Sequence, residues 1–269
     1  MKRYLIALDL DGTLMKSFGE YDQETFDYLK TLTKAGHLIV LATGRPYRSS
    51  RFIYDLLDLN TPLINYNGAI VHHPKDKNFP RYDLYIKKDQ LVDILKHNQE
   101  GLINVFCEIN DDIYVHRFNE EIEPYLHLEG GKLTVGPLDE ILDGDPNGAL
   151  VFVENDCAVQ MARYIYQNYS QNLLVRFWPT ELFNILEIYN KRTNKGAGLM
   201  RIANYYNIPK ENIIAIGDGH NDIEMLQAAG IKVAMGDSHP ELLNVANHHT
   251  LGCEENGVLV FLQNFFNNK

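Results

Sequence analysis

The sequence predicts an α/β protein: a doubly wound, mostly parallel, Rossmann-like sheet with a second, α+β domain inserted into it. Two features indicate this fold. Near both ends of the chain, short apolar runs alternate with helical patterns, as in a parallel sheet. In the middle of the chain, closely spaced apolar runs are separated by turn residues, as in an antiparallel sheet.

The first strand of the parallel sheet is predicted at residues 4–8, which are apolar without interruption and therefore typical of a strand buried on both faces. Asp9 and Asp11 follow where this strand ends, and Gly12 supplies a turn. Because the carboxyl ends of the strands line the ligand crevice of such a sheet, both carboxylates fall where chemistry is usually done. A bound cation would offset the cost of burying them; the alternative is that they only cap the turn.

The parallel pattern continues up to a third strand. Asp22 is the predicted N-cap of a helix that ends at Gly36. Residues 38–42 predict a second buried strand, which ends at Thr43, and residues 62–66 predict the third. This order of strand, helix, strand, helix and strand is the beginning of a doubly wound sheet.

The inserted domain is predicted at residues 84–186, which divides the parallel domain into residues 1–83 and 187–269. Inside the insert, apolar runs predict strands near residues 103–107, 113–116, 149–153, 173–177 and 183–188. The pattern of a parallel sheet returns with a helix after Lys195 and a strand at residues 213–216. One domain that is interrupted by another is the simplest account of this order.

The composition argues against several classes of function. A net charge of −11 over 269 residues argues against binding nucleic acid or an anionic membrane through a broad basic face. No apolar run approaches the length of a membrane span. The three cysteines are far apart and odd in number, which predicts no disulfide framework and is typical of the reducing cytoplasm. The sequence predicts no particular oligomeric state.

Polar segments that follow the predicted strands are expected to meet at one edge of the parallel sheet, where they would suit phosphoryl transfer. Asp9 can attack phosphorus and form an aspartyl-phosphate. The side chain of Asp11 would give a proton to the leaving alcohol and then take one from water. The carboxylates of Asp9 and Asp218 and the backbone carbonyl of Asp11 are suitable oxygen ligands for Mg²⁺.

Other residues in these segments suit the phosphoryl group itself. Thr43 and the Gly44 amide can hydrogen-bond it, and Lys195 at a helix N-terminus adds a positive charge. Taken singly, each has a structural alternative: Thr43 and Gly44 form a generic turn, Lys195 is a solvated side chain, and Asn221 with Asp222 begins a helix. Their joint occurrence at strand ends and helix starts favours the functional interpretation.

These segments resemble the four sequence motifs of the haloacid dehalogenase-like phosphatases. The matching sequences are Asp9-Leu10-Asp11-Gly12-Thr13-Leu14, Ala42-Thr43-Gly44-Arg45, Asn194-Lys195-Gly196 and Gly217-Asp218-Gly219-x-Asn221-Asp222. The segment Asn65-x-Asn67-Gly68-Ala69 and the large insert between the second and third motifs are similar to the Cof-type branch of this family, which carries an α/β cap domain. The resemblance thus implies a family core with a cap at residues 84–186.

The resemblance also implies a role for each matching residue. Asp9 is the nucleophile and Asp11 the general acid and base. The phosphate contacts fall on the Leu10 backbone, Thr43, Gly44, Lys195 and Asn221. The Mg²⁺ ligands are Asp9, the carbonyl of Asp11 and Asp218, with Asp222 lying outside the direct ligands.

Three residues are candidates for selecting the substrate. Arg45 and Arg48 lie beside the Thr43 loop and could hold a second anionic group; the alternative is a solvated basic face. Trp178 lies near the end of a predicted strand of the insert and could pack on a sugar or aromatic ring. The alternative for Trp178 is ordinary packing inside the insert.

Together these residues predict a cytoplasmic, Mg²⁺-dependent phosphatase of small phosphorylated metabolites, with sugar phosphates as the first expectation. A sugar phosphomutase would form the same phosphoenzyme on Asp9 and return the phosphoryl group to a sugar. A phospho-accepting signalling module of the receiver type would gather similar residues, but it needs neither the insert nor Asp11. A regulator on a spent enzyme fold would bind a phosphosugar without hydrolysing it.

Overall fold

The computed structural model describes residues 2–17, 19–120 and 122–267. In these ranges the strands, numbered in chain order, are β1 (Leu5–Leu8), β2 (Met15–Ser17), β3 (Glu20–Tyr21), β4 (Leu38–Leu41), β5 (Leu63–Asn65), β6 (Ile70–His72), β7 (Tyr82–Asp83), β8 (Leu102–Ile109), β9 (Asp112–Val115), β10 (Leu133–Val135), β11 (Gly148–Val153), β12 (Leu173–Pro179), β13 (Asn184–Asn190), β14 (Ile213–Gly217), β15 (Ile231–Ala234) and β16 (His248–His249). The α-helices are α1 (Gln23–Lys34), α2 (Tyr47–Leu56), α3 (Lys88–His97), α4 (Leu138–Ile141), α5 (Asn155–Tyr169), α6 (Lys195–Tyr205), α7 (Ile223–Ala228), α8 (Pro240–Val245) and α9 (Gly257–Asn267).

The chain forms two compact units. Unit 1 consists of Met1–Arg45, Ser50–Tyr82 and Asn194–Lys269, and unit 2 consists of Pro46–Ser49 and Asp83–Thr193. None of the helices formed by the described residues is both long enough and apolar enough to cross a membrane.

Unit 1 is built on a parallel sheet with the strand order β16-β15-β14-β1-β4. The first apolar run supplies the middle of this sheet: β1 pairs in parallel with β14 on one side and with β4 on the other. All four residues of β1 are buried, as expected for a strand that is covered on both faces. The prediction of a doubly wound parallel sheet is therefore confirmed.

Helix α1 begins and ends as predicted. The side chain of Asp22 accepts a hydrogen bond from the backbone N–H of Thr25 at 2.7 Å, which caps the helix. Gly36 follows the helix with φ of +94°, a left-handed conformation that glycine adopts without a steric penalty.

Two parts of unit 1 differ from the prediction. Strand β5 is joined to the parallel sheet by a single bridge between Ala42 and Ile64, and it pairs with β6 in antiparallel fashion. The chain therefore reverses at the turn Tyr66–Gly68. The small hairpin of β2 and β3 was not predicted, because strands of three and two residues are too short to show a periodic pattern.

Unit 2 contains a six-stranded sheet with the order β10-β9-β8-β11-β13-β12. Strand β11 pairs in antiparallel fashion with β8 and β13, as the spacing of the apolar runs predicts. Strand β10, which was not predicted, runs parallel to β9. Apolar residues of α3 and α5, such as Leu91 and Ile165, are buried together with residues of this sheet, so unit 2 has its own core. The prediction of an inserted α+β domain is confirmed.

Candidate active site

Three neighbouring strands bring polar residues to one edge of the parallel sheet. In the register of the sheet, Leu8 at the end of β1 lies opposite Ile216 of β14 and opposite Leu41 of β4. Asp9, Thr43 and Asp218 follow these strands within two residues, so they emerge at the same level. The backbone N–H of Asp9 extends the pairing by donating to the carbonyl of Ile216 at 3.1 Å.

The centre of this edge is a buried ion cluster of Lys195, Asp9 and Asp222. Lys195 is the first residue of α6, whose N-cap Asn194 accepts a hydrogen bond from Ala197 N–H at 2.7 Å. The Lys195 ammonium donates to the carboxylate of Asp9 and to Oδ1 of Asp222, the latter at 2.7 Å. Lys195 and Asp222 are fully buried and Asp9 is 5% exposed, so these charges interact with little screening by water.

The cluster shifts the pKa values of its members. Burial, and then the negative charge of Asp222, raise the pKa of Asp9 well above its usual range, although Lys195 acts in the opposite direction. Burial alone would lower the pKa of Lys195, but the charges of Asp222 and Asp9 outweigh it and raise that pKa. Lys195 therefore stays charged at neutral pH.

Asp218 is held beside the cluster by the segment that follows β1. Oγ1 of Thr13 donates to Oδ1 of Asp218 at 2.6 Å. Gly12 has φ of +79°, and a Cβ atom at this position would lie 2.6 Å from Oδ2 of Asp218, so only glycine fits. Burial, followed by the charge of Asp222, raises the pKa of Asp218 to about 6, while the hydrogen bond from Thr13 acts in the opposite direction. The sequence placed Thr13 in a motif but did not indicate this contact.

The acidic residues of the site fit a divalent cation. One carboxylate oxygen from each of Asp9, Asp218 and Asp222 lies within 4.8 Å of the other two. Hard carboxylate oxygens are the ligands that Mg²⁺ prefers. Both carboxylate oxygens of Asp222 already accept hydrogen bonds. Oδ2 accepts from the backbone N–H groups of Asp218 and Gly219, and Oδ1 accepts from Lys195. We therefore predict that Asp9 and Asp218, rather than Asp222, would bind the cation directly.

Asp11 lies at the same edge and is bound by Arg45. The Arg45 guanidinium donates from Nε to Oδ2 of Asp11 at 2.8 Å and from Nη2 to Oδ1, which makes a two-point ion pair. The Asp11 side chain is 55% exposed, so it remains open to solvent. The backbone N–H of Arg45 donates to Oγ1 of Thr43 at 3.0 Å, which anchors the arginine to the second motif.

Three of the residues predicted to contact phosphate, Thr43, Gly44 and Asn221, lie around Asn67. Thr43 is fully buried, and its carbonyl accepts from the Asn67 N–H at 3.0 Å. Nδ2 of Asn221 donates to Oδ1 of Asn67 at 3.0 Å. A Cβ atom on Gly44 would lie 3.3 Å from the same Asn67 oxygen. The Leu10 side chain is buried, and its carbonyl accepts from the N–H groups that close the turn after β1.

The other two candidates for selecting the substrate belong to unit 2. The Arg48 guanidinium is almost completely buried and donates to Glu108 and, at 2.9 Å, to the His127 carbonyl. Trp178 is 41% exposed, and its Nε1–H donates to Oε2 of Glu187 at 2.9 Å. A role for these residues in binding substrate stays a prediction.

Comparison with known proteins identifies the family. A model of the haloacid dehalogenase-like hydrolases matches residues 6–262. The chain is 38% identical over 268 residues to 5-amino-6-(5-phospho-D-ribitylamino)uracil phosphatase YitU of Bacillus subtilis, with 98% of each protein covered. It is 28% identical to phosphatase YwpJ of the same organism, covering 94% of this chain and 96% of that relative.

The fold is also found among solved structures. A haloacid dehalogenase-like hydrolase from Bacteroides thetaiotaomicron superposes with a TM-score of 0.84 at 23% identity, covering 98% of this chain and 100% of the other. This likeness shows that the fold is shared. The family match spans all four motifs that carry the resemblance seen in the sequence. The chain therefore belongs to the Cof-type branch of the haloacid dehalogenase-like hydrolases and is a phosphoric monoester hydrolase.

Proposed function

We propose that this phosphatase hydrolyses 5-amino-6-(5-phospho-D-ribitylamino)uracil with Mg²⁺, through an aspartyl-phosphate on Asp9. The observation that carries the mechanism is the Asp9 carboxylate, which is buried at the end of β1 against Lys195 and beside Asp218. The substrate is taken from the relative YitU, which covers 98% of the chain. This substrate carries a phosphorylated sugar alcohol, so it is a more specific proposal than the sugar phosphates expected from the sequence.

In the first step, a carboxylate oxygen of Asp9 forms a bond to phosphorus while the bond from phosphorus to the ribityl oxygen breaks. The Asp11 carboxyl group gives its proton to that departing oxygen, which leaves as an alcohol. Lys195 balances part of the negative charge around Asp9 and the phosphoryl oxygens. Thr43, Gly44, Asn221 and the Leu10 backbone would orient the phosphoryl group.

In the second step, the Asp11 carboxylate takes a proton from water as the water oxygen attacks phosphorus. The bond from phosphorus to Asp9 breaks, and inorganic phosphate and the free Asp9 carboxylate are formed. Mg²⁺, held by Asp9, Asp218 and the carbonyl of Asp11, would neutralise charge on the phosphoryl oxygens in both steps. The proposed cap, residues 84–186, falls within unit 2.

The test is a substrate panel assayed with Mg²⁺ and with a chelator. It includes the ribitylaminouracil phosphate, several hexose phosphates and an aryl phosphate, with Asp9→Asn as the control for contaminating activity. We expect kcat/KM to be at least tenfold higher for the ribitylaminouracil phosphate than for any hexose phosphate. Preference for a hexose phosphate would contradict the proposed substrate. Formation of an isomeric hexose phosphate would indicate a mutase.

A further inference from the structure

The turn Tyr66–Gly68 has an unusual backbone. Tyr66, Asn67 and Gly68 have φ values of +50°, +53° and +100°, so three successive residues lie in the left-handed region. Residues other than glycine enter this region rarely, and asparagine enters it more readily than tyrosine. Such a conformation persists where the surroundings require it, and it is concentrated at functional sites. The contacts of this turn therefore indicate what it does.

The turn touches two of the motif segments through its backbone. The Asn67 N–H donates to the carbonyl of Thr43 at 3.0 Å. A Cβ atom on Gly68 would lie 2.3 Å from the carbonyl oxygen of Asn194, the residue that caps the helix of Lys195. The close approach and the positive φ both require glycine at this position. The turn is therefore packed tightly between the second and third motifs.

The Asn67 side chain reaches the fourth motif. It is 8% exposed, and its Oδ1 accepts a hydrogen bond from Nδ2 of Asn221 at 3.0 Å. A primary amide carries two N–H donors on nitrogen and an acceptor oxygen on the opposite side. When Asn221 donates one N–H to Asn67, its oxygen is turned away, toward Gly219, where a Cβ atom would lie 2.5 Å from it. The nitrogen, with its second N–H, stays at the end of the amide that faces Asn67.

We propose that Asn67 is a positioning residue that fixes the amide of Asn221 with its nitrogen toward the phosphoryl group. Without Asn67, the Asn221 amide can rotate and present its oxygen to an anion, which repels it. Asn67 thus acts through Asn221, and the left-handed turn sets the side chain of Asn67 at the required place. This inference rests on the proposed phosphate contact of Asn221 and is independent of the identity of the natural substrate.

The test compares Asn67→Gly with Asn207→Gly. Both residues have φ of +53°, and Asn207 is exposed at the end of α6, so both changes relieve the same backbone conformation. For Asn67→Gly we expect a loss of about tenfold or more in kcat/KM for an aryl phosphate, because the hydrogen bond from Asn221 to the charged phosphoryl group is weakened. The inhibition constant of inorganic phosphate should rise by a similar factor. Asn207→Gly should change neither quantity.

A double-mutant cycle distinguishes positioning from a general structural effect. If Asn67 acts through Asn221, the variant carrying Asn67→Gly and Asn221→Ala should be no worse than Asn221→Ala alone. Additive losses, or unchanged phosphate inhibition in Asn67→Gly, would overturn the proposal. Asn67→Ala, with Asn207→Ala as its control, removes the same amide without adding the backbone freedom of glycine, and it should give the same pattern. This test uses only an aryl phosphate and inorganic phosphate, so its outcome does not depend on whether the protein hydrolyses the ribitylaminouracil phosphate.

Discussion

Nζ of Lys195 lies 2.7 Å from Oδ1 of Asp222 with both side chains fully buried, and it also donates to Asp9. Lysine is almost never buried without a charged partner. Here one ammonium group faces two carboxylates, so the cluster is stable only while the lysine is present. The same cation that would meet a phosphoryl group therefore also holds the end of β1 to the start of α6.

Replacing Lys195 by methionine should damage both stability and activity. Two carboxylates would be left buried without their cation, so we expect the free energy of unfolding to fall by about 3–5 kcal/mol. Aryl phosphatase activity should fall by at least a hundredfold. Urea unfolding and steady-state kinetics measure these effects, with the exposed Lys34→Met as the control. If Lys195→Met retained wild-type stability, the cluster would not stabilise the fold as inferred.

The sequence indicated the residues of this cluster because each is adjacent to a strand end or a helix start. Strand ends are visible as the boundary of an apolar run, and a shared edge follows from the rules of parallel sheets. Asp9, Asp218 and Lys195 could therefore be assigned to one site before their distances were known. The partners of each carboxylate, such as Thr13 for Asp218, depend on side-chain orientations that no sequence pattern records.

Asn67 shows where the sequence was insufficient. The dipeptide Asn67-Gly68 is a strong turn signal in the sequence, and the backbone does turn there. Its contact with Asn221 joins residues 154 positions apart and depends on β5 reversing into β6, which the parallel pattern did not predict. Strand β10 was missed for a related reason, since three residues at the edge of a sheet show no clear periodicity. Short elements and long-range side-chain contacts could therefore not be predicted from the sequence.

Asp9→Asn should abolish hydrolysis of an aryl phosphate without unfolding the protein. The pKa of Asp9 is raised in the folded state, so the folded state disfavours the carboxylate relative to the unfolded chain. The loss of stability caused by ionising Asp9 is absent at low pH. It grows as the pH rises from the ordinary pKa of 3.8 through the folded-state pKa. At neutral pH without Mg²⁺, the neutral asparagine should therefore give a Tm at least equal to that of the wild type. Residual turnover above background would remove Asp9 from the mechanism.

Mg²⁺ binding should weaken as the pH falls through about 6. Burial raises the pKa of Asp218 to about 6, and a protonated carboxyl group is a poor ligand. Because the pKa of Asp218 is raised in the folded state, the contribution of this residue to stability in the absence of metal is fully present below pH 3.8. It is lost as the pH rises through about 6. Mg²⁺ should reverse this trend, so its addition should raise Tm more at pH 7.5 than at pH 5. Calorimetry on the metal-bound and metal-free protein measures both effects.

Two variants sharpen the prediction for Asp218. Thr13→Val removes the hydrogen bond that lowers the pKa of Asp218, so the loss of Mg²⁺ binding should begin at a higher pH. Asp58→Asn changes a carboxylate whose side chain is 91% exposed and should leave Mg²⁺ binding unchanged. Equal Mg²⁺ affinity at pH 5 and pH 7.5 in the wild type would show that Asp218 does not control the metal.

Arg45→Ala should impair the proton transfers assigned to Asp11. The two-point ion pair orients the Asp11 carboxylate, and general acid–base catalysis typically contributes a factor of about 10²–10⁴. An alkyl phosphate has a leaving alcohol that needs a proton, whereas a nitrophenyl phosphate does not. We expect kcat to fall by about tenfold or more with the alkyl substrate and by less with the aryl one. Arg51→Ala, which breaks an exposed ion pair with Asp55, is the matched control. Equal losses with both substrates would mean that Arg45 does not act through the proton given to the leaving group.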